Sequence, residues 1–393
     1  VVEPQFLPRV EEVRDRLPDL EHIIVMGGDG GTMSYDELMK LDPDFDPGPI
    51  ASEVGLEDPL TLIYTSGTTG PPKGVSLTHG NLLRMQAAVM QGVINLPDTD
   101  ARVISWLPTA HIAERGANYY SAVMKGFEVH VCPDPKRIIE FLPKVRPTWF
   151  FAVPRIWEKL KAGLESMLAG LPDEQREKAQ AGLDAAIQKV RLEQAGEEVP
   201  AEIAAAAAAA DEALFASLRE NLGFDRAVAV SVGAAPTPVE VLEFFHAIGI
   251  PVGELWGMSE TCGVITINPP DRIRIGTVGP PVPGTDVKVA EDGELLCRSP
   301  YVMPEYRNQP DKTADTIVDG WLHTGDIGYL DGDGFLYIVD RIKDMVLRGG
   351  ENIYCAEVEV VLFKHPGIAE AAVFSVPDDK LGEVVGAAIF PVA

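Results

Sequence analysis

The chain has 393 residues, of which 33 are basic and 60 acidic, for a formal net charge of −27. Hydrophobic residues make up 46% and charged residues 24%, ordinary globular proportions that argue against a disordered or fibrous chain and allow about two or three domains. So acidic a surface repels phosphate backbones, which argues against nucleic acid as a partner; an anionic ligand needs a local pocket of amides, cations or metal. The four cysteines, Cys132, Cys262, Cys297 and Cys355, are scattered with no CxxC pair. They imply neither a disulfide framework nor a zinc site and suit a cytoplasmic protein. No apolar stretch reaches the roughly 18 residues of a membrane span, and no basic-then-apolar leader is present. The chain opens on Val1 ahead of a helical pattern from Phe6 to Leu17 and closes on an apolar run from Val384 to Val392. It reads as a piece cut at both ends.

From Leu60 to Lys159 short apolar runs alternate with helical patterns. Leu60–Tyr64 is expected as a strand, followed by a Gly/Thr/Pro loop and a helix from Asn81. Val103–Leu107, Phe127–Cys132 and Trp149–Val153 are further strands, with helices from Ala117 and around Arg137–Leu142 between them. The alternation resumes with Ala227–Val232, a helix over Pro238–Ile248, and Pro251–Leu255. This pattern predicts an α/β fold with mainly parallel sheets and flanking helices. Between the two stretches, residues 158–222 are dominated by helix formers, including seven consecutive alanines, Ala204–Ala210; they predict a helical insertion. The Ala run has little bulk with which to pack. From Gly276 short alternating strands with Gly and Pro turns predict an antiparallel β-rich subdomain over 276–339. A charged connector at Asp340–Lys343 precedes a helix, Ala356–Lys364, and two strands, Ala369–Val376 and Val384–Phe390. The expected division is a large domain, 1–339, and part of a small α+β domain, 340–393.

The most informative segment runs from Tyr64 through Thr65, Ser66, Gly67, Thr68, Thr69, Gly70, Pro71 and Pro72 to Lys73 and Gly74. Glycines and hydroxyl residues let backbone amides approach a phosphate closely, and Lys73 adds positive charge. Gly74 and Val75 follow the lysine, where a GxxxxGK[ST] loop needs Ser or Thr, so this is a different phosphate loop.

The string resembles the signature of the adenylate-forming superfamily, which contains acyl-CoA synthetases, luciferases and peptide-synthetase adenylation domains. Further segments resemble that family in the same order: Leu107–Glu114 (LPTAHIAE), Gly233-Ala234-Ala235-Pro236, Trp256-Gly257-Met258-Ser259-Glu260, His323-Thr324-Gly325-Asp326 and Asp340–Asp344 (DRIKD). The resemblance covers nearly the whole chain. It implies a two-step reaction, in which a carboxylate attacks the α-phosphate of ATP and a thiol, usually that of CoA, then attacks the acyl-adenylate.

The resemblance also implies roles. Thr65, Ser66, Gly67, Thr68, Thr69, Gly70 and Lys73 would hold phosphate. Glu260 and Thr65 would ligate Mg²⁺, a hard cation satisfied by few protein oxygens when phosphates supply the rest. Ser259 would donate to the α-phosphate, where the family more often has Thr. Gly233, Ala234 and Ala235 would form the adenine turn, Trp256 and Gly257 would line the base, and Trp256 would stack on it where many relatives have Tyr. Asp326 would accept both ribose hydroxyls, and Arg341 would reach the ribose or phosphate. His111 would sit beside the acyl and thiol pockets as a gate or polarising group, although a structural histidine fits the residue type equally. Trp157 falls where long-chain members place a gate over an acyl tunnel; core packing is the other reading. Lys343 lies at the interdomain hinge, where an exposed connector charge is the alternative.

The family's adenylation lysine lies in a Pro-x-x-x-x-Gly-Lys-like segment, and none follows Phe390. Lys380 sits in a different string, so this polypeptide is expected to bind ATP and adenylate poorly. The insertion, Leu107–Glu114 and the Trp157 segment resemble long-chain fatty acyl-CoA synthetases, whereas Gly349–Glu357 resembles short-chain, medium-chain and aryl ligases. The resulting expectation is a fatty acyl-CoA synthetase using ATP, Mg²⁺, a fatty acid and CoA, with transient membrane contact following from the acid and oligomeric state left open. An acyl-AMP ligase serving a carrier protein and a catalytically impaired nucleotide- or acyl-binding fragment are the alternatives.

Overall fold

The structure is a computed structural model that describes every residue except 29, 66–71, 98, 343, 349, 350, 364, 379 and 393; for 351, 352, 356 and 360 it describes the backbone alone. The chain divides into two compact units, Val1–Gly55 and Leu56–Ala393. In the first, the expected helix forms over Leu7–Val13, with a 3-10 turn at each end. Strands β1 (Ile24–Val25) and β2 (Met33–Ser34) pair in parallel. Ser34 and Glu37 then close a capping box on the helix Tyr35–Leu38, satisfying its first backbone donors.

The second unit is built on parallel pairs. Strands β5 (Arg102–Ser105) and β6 (Glu128–Val131) run parallel, as do β7 (Trp149–Ala152), β8 (Ala229–Val232) and β9 (Val252–Trp256). Every residue of β7 and β8 is buried, as expected when crossover helices cover both faces of a parallel sheet. β10 (Thr266–Ile267) adds antiparallel to β9.

The crossover from β7 to β8 is the expected helical insertion. It consists of helices Pro154–Ala169, Asp173–Ala195, Ala201–Ala210 and Ala216–Leu222. Leu160, Leu164 and Leu168 repeat at helical spacing and are all buried in one core cluster with Leu183, Phe215 and Phe245. The Ala run packs more closely than its bulk suggests. A Cβ placed on Gly182 would lie 2.5 Å from the Cβ of Ala210, so small residues on both helices let the backbones touch.

The β3 (Pro59–Thr65) expectation is met, but the passage to the next helix gains a strand. β4 (Lys73–Thr78) pairs antiparallel with β3, and β13 (Glu305–Tyr306) pairs antiparallel with β4. The Gly- and Pro-rich string before it hid β4, five of whose six residues are buried. Lys73 therefore stands on a strand, and the helix that follows, His79–Val89, is capped by Thr78 and Asn81.

The β-rich subdomain is antiparallel as expected: β11 (Asp286–Val289), β12 (Glu294–Arg298), β15 (Trp321–Leu330) and β14 (Ile317–Val318) in that order, with β16 (Leu336–Arg341) on β15. The ten-residue β15 carries the His323–Asp326 motif. Its Gly and Asp content conceals it from a pattern reading. The segment read as a connector begins inside β16, where Asp340 and Arg341 pair with Ile327 and Asp326. Beyond it, β17 (Val346–Arg348), β18 (Glu351–Ile353), β19 (Ile368–Asp378) and β20 (Gly382–Pro391) form a sheet beside the helix Cys355–Phe363.

Candidate active site

The carboxyl ends of β8 and β9 carry two of the motifs, the position where open α/β sheets place ligands. Gly233 follows β8; a Cβ there would sit 2.8 Å from the carbonyl oxygen of Leu255, so only glycine lets the two strand ends approach. Ala234 has φ +70°, a left-handed conformation costly for a residue with a Cβ. Trp256 ends β9. A Cβ on Gly257 would meet the Gly263 carbonyl oxygen at 2.4 Å. Ser259 and Glu260 then lie on a 3-10 turn, Ser259–Thr261, with Ser259 buried.

The His323–Asp326 motif reaches the same place from β15. Glu294 shapes it, accepting from Gly325 N at 2.9 Å and meeting His323 Nδ1 at 2.7 Å. Gly325 supplies the positive φ of +73° that the bend requires. The Trp256 indole N–H donates to Asp326 Oδ2 at 2.7 Å, and Arg341 Nε lies 3.2 Å from Asp326 Oδ1. Asp326 is 6% exposed. The structure thus gathers Trp256, Asp326 and Arg341 into one network, with Trp256 and Asp326 buried and Arg341 exposed at its edge. Trp256 is itself 9% exposed, so its shown work is holding the carboxylate. A carboxylate offers about four acceptor positions and so can serve several donors at once.

A second cluster lies on the β3–β4–β13 sheet. Thr65 pairs with Lys73, and Tyr306 pairs with Val75, two residues further along β4. Opposed and alternate residues share a face, so Thr65, Lys73 and Tyr306 project to one side. The Tyr306 hydroxyl donates to Glu260 Oε1 at 2.7 Å, and the Lys73 ammonium lies 4.7 Å from the Tyr306 ring centroid. Tyr306 belongs to no motif read in the sequence. Among the described residues no group of three or more His, Cys, Asp or Glu could hold a metal ion. The Glu260 carboxylate and the Thr65 hydroxyl are the hard-oxygen groups among the residues named in this cluster. Two such groups are too few for a fully protein-ligated ion, whereas Mg²⁺ takes the remainder of its oxygen ligands from phosphates and water.

His111 caps the helix that begins at Ile112. Its Nδ1 accepts from Ala113 N at 3.1 Å, which fixes the proton of the neutral ring on Nε2; the residue is exposed, and partial desolvation of its ring lowers its pKa. Buried Glu114 anchors the same loop, accepting from Leu107 N at 3.0 Å and from the Asn118 side chain at 2.8 Å. The sequence leaves Trp157 two readings, a gate over an acyl tunnel or a core aromatic, and the structure places it inside an aromatic cluster. It is fully buried, with ring centroids 5.0 Å from Phe245, 5.6 Å from Phe224 and 5.9 Å from Phe150. Ser66, Gly67, Thr68, Thr69, Gly70 and Lys343 lie outside the described residues.

Glu254, on β9 two residues before Trp256, gives a pH prediction. Burial pushes its carboxyl up to about 7, against hydrogen bonds from Gly276 and Thr237. An acid whose pKa is raised by folding binds its proton more tightly in the folded state, so its ionisation opposes folding as pH rises from about 4.5 to 7. Glu254→Gln cannot ionise. It is expected to match the parent near pH 4.5 and to be more stable by about 1–3 kcal/mol at pH 8, read as the difference in melting temperature at the two pH values. Equal differences at both would refute the burial cost.

The family model described as AMP-binding enzyme matches residues 1–307, and that of the AMP-binding enzyme C-terminal domain matches 357–393. The protein fadD11 of Mycobacterium tuberculosis, whose name ascribes to it a fatty-acid–CoA ligase activity, is 47% identical over 306 residues, 77% of this chain and 53% of that protein. The long-chain-fatty-acid–CoA ligase ACSBG2 of Xenopus laevis is 35% identical over 378 residues, 90% of this chain and 50% of that protein. The chain therefore spans about half the length of these relatives. Among solved structures, o-succinylbenzoate CoA synthetase (MenE) from Bacillus subtilis, in complex with its acyl-adenylate intermediate, superposes with a TM-score of 0.70 at 25% identity, over 98% of this chain and 71% of that one.

Proposed function

The chain belongs to the AMP-binding enzyme family, and from that premise we propose that it carries the ATP-binding machinery of a fatty acyl-CoA synthetase with a preference for long chains. The observation that carries this reading is the Trp256–Asp326–Arg341 network, which joins two nucleotide motifs 70 residues apart in sequence. Asp326 would accept the ribose hydroxyls, with Arg341 at its edge and Trp256 beside the base. Gly233, Ala234 and Ala235 would line the adenine, and Ser259 and Lys73 would hold phosphate oxygens. Glu260 and Thr65 would hold Mg²⁺, which when bound supplies neutralisation of phosphate charge.

In the first step a fatty-acid carboxylate oxygen bonds to the α-phosphorus, and the bond to the bridging oxygen breaks to release pyrophosphate. Positioning of two anions and charge neutralisation carry this step. In the second the CoA thiolate sulfur bonds to the acyl carbonyl carbon and AMP leaves. His111, neutral with Nε2–H as donor, would sit beside the acyl group, Lys343 and the 339/340 boundary would form a hinge, and Trp157 could gate an acyl tunnel only by leaving its aromatic cluster. All four cysteines are free and buried, which suits a reducing cytoplasm. No helix among the described residues is long and apolar enough to cross a membrane.

Trapping the adenylate as hydroxamate, with Mg-ATP and acids from acetate to palmitate plus an aryl acid, tests the proposal. A signal peaking at long chains is expected. A peak on acetate or the aryl acid would overturn the substrate class. Silence with ATP still bound would favour an impaired binding fragment, and thioester formed only on a carrier protein would replace CoA as acceptor.

A further inference from the structure

Three segments meet on Tyr306. β13 brings it beside β4, the 3-10 turn at Ser259 brings Glu260 to its hydroxyl, and the start of β4 brings Lys73 over its ring. The ring is 2% exposed, and its backbone N–H is fixed by Thr313 Oγ1 at 2.9 Å. The same segment grips Glu260 a second time, Met303 N donating to the Glu260 carbonyl at 2.7 Å. Tyr306 is thus held from several sides.

Resting on the nucleotide-site reading above, we infer that Tyr306 is a positioning residue: a neutral spacer that keeps the phosphate-binding Lys73 and the metal-binding Glu260 apart, oriented and fully charged. An ammonium and a carboxylate this close to one residue would otherwise be drawn into an ion pair, which would cancel the charge each needs for phosphate and cation. An aromatic face attracts the ammonium without neutralising it. A phenol donating one hydrogen bond orients the carboxylate and leaves its charge and its second oxygen for a metal. A phenol is neutral at physiological pH, so it stays a donor to the carboxylate.

The experiment measures ATP binding to this chain by calorimetry, once with Mg²⁺ and once with EDTA, for the parent, Tyr306→Phe and Tyr306→Leu. Phenylalanine keeps the ring under Lys73 and removes the donor to Glu260. Tyr306→Phe is expected to weaken Mg-ATP about tenfold and leave metal-free ATP unchanged. Tyr306→Leu removes both holds and is expected to weaken both forms about tenfold or more. In a Glu260→Gln background the Tyr306→Phe effect should vanish, because it acts through that carboxylate. Equal weakening of both ATP forms by Tyr306→Phe, with a lowered melting temperature, would reduce Tyr306 to a structural residue. Unchanged Mg-ATP binding would overturn the spacer outright. A parent that binds ATP in neither condition would fell the nucleotide-site reading and this inference with it.

A further measurement does not need Tyr306→Phe to fold. Mg²⁺ added to the parent's ATP complex should shift tyrosine difference absorbance, as the acceptor of a tyrosine hydroxyl takes up a cation. Glu260→Gln should abolish the shift. A parent without a shift, or a shift that survives Glu260→Gln, refutes the inference.

Discussion

Asp326→Ala is expected to weaken AMP and ATP binding about 100-fold, the largest loss of affinity at any single position of the site. Two ribose hydroxyls donating to an ionised carboxylate contribute about 3 kcal/mol together, since hydrogen bonds to charged groups are worth about 1.5–3 kcal/mol each before losses. The substitution has a second effect that separates it from a simple contact loss. Asp326 is the acceptor for the Trp256 indole N–H and the ion-pair partner of Arg341. Removing it leaves a buried donor unmet, which costs about 1–3 kcal/mol of stability. Asp326→Asn keeps the shape and one acceptor oxygen, and should lose about tenfold in affinity with a smaller fall in melting temperature. Calorimetry with AMP and thermal melts of the three proteins test this together. AMP bound by Asp326→Ala as tightly as by the parent would remove the ribose role, whatever the melting temperatures show.

Trp256 and Asp326 also mark the boundary of what the sequence makes legible. Each sits in a short continuous string, Trp256-Gly257-Met258-Ser259-Glu260 and His323-Thr324-Gly325-Asp326, and a string can be read without knowing the fold. The bond between them crosses from β9 to β15, and no periodicity encodes a contact over that separation. Glu294, which holds the bend at Gly325, and Tyr306, which holds Glu260, lie outside any string. Each is placed by strand pairing, β12 against β15 and β13 against β4. The signal that would have pointed to Tyr306 is the register of β4, because Lys73 and the partner of Val75 must share a face. β4 itself was masked by the neighbouring glycines and prolines.

The parallel strands were legible for the opposite reason. β7 and β8 are buried runs such as Trp149–Ala152, where burial on both faces removes polar alternation and leaves a short block with little polar character. β15 has polar and glycine positions because one of its jobs is to present Asp326, so its composition follows the site rather than the sheet. The helical insertion was legible from composition, but the packing of its Ala run was not. Close approach at Gly182 depends on what is absent from both helices, and small size carries no hydrophobic signature.

Trp157→Ala is expected to cost about 3–5 kcal/mol of stability, the range for deleting a large aromatic from a packed core. The indole is fully buried against Phe150, Phe224 and Phe245, and the helix that carries it, Pro154–Ala169, also buries Leu160, Leu164 and Leu168. At about 2–4 °C per kcal/mol for a unit of this size, the melting temperature should fall by roughly 10 °C. The Trp157 indole N–H has no hydrogen-bond partner among the described residues, which makes Trp157→Phe the informative companion. Phenylalanine loses volume but also removes a buried unmet donor worth about 1–3 kcal/mol, so the two changes offset and the variant should melt within a few degrees of the parent. A gate makes the opposite pattern. Its removal leaves the melting temperature in place and shifts the chain-length profile of hydroxamate formation, because a gate is anchored by contacts that it must break in every cycle. Trp157→Ala with the parent's melting temperature and an altered acid profile would move the residue from the core to an acyl tunnel. A large loss of stability, with Trp157→Phe preserving both stability and profile, would fix it as the centre of the aromatic cluster between the insertion and the parallel sheet.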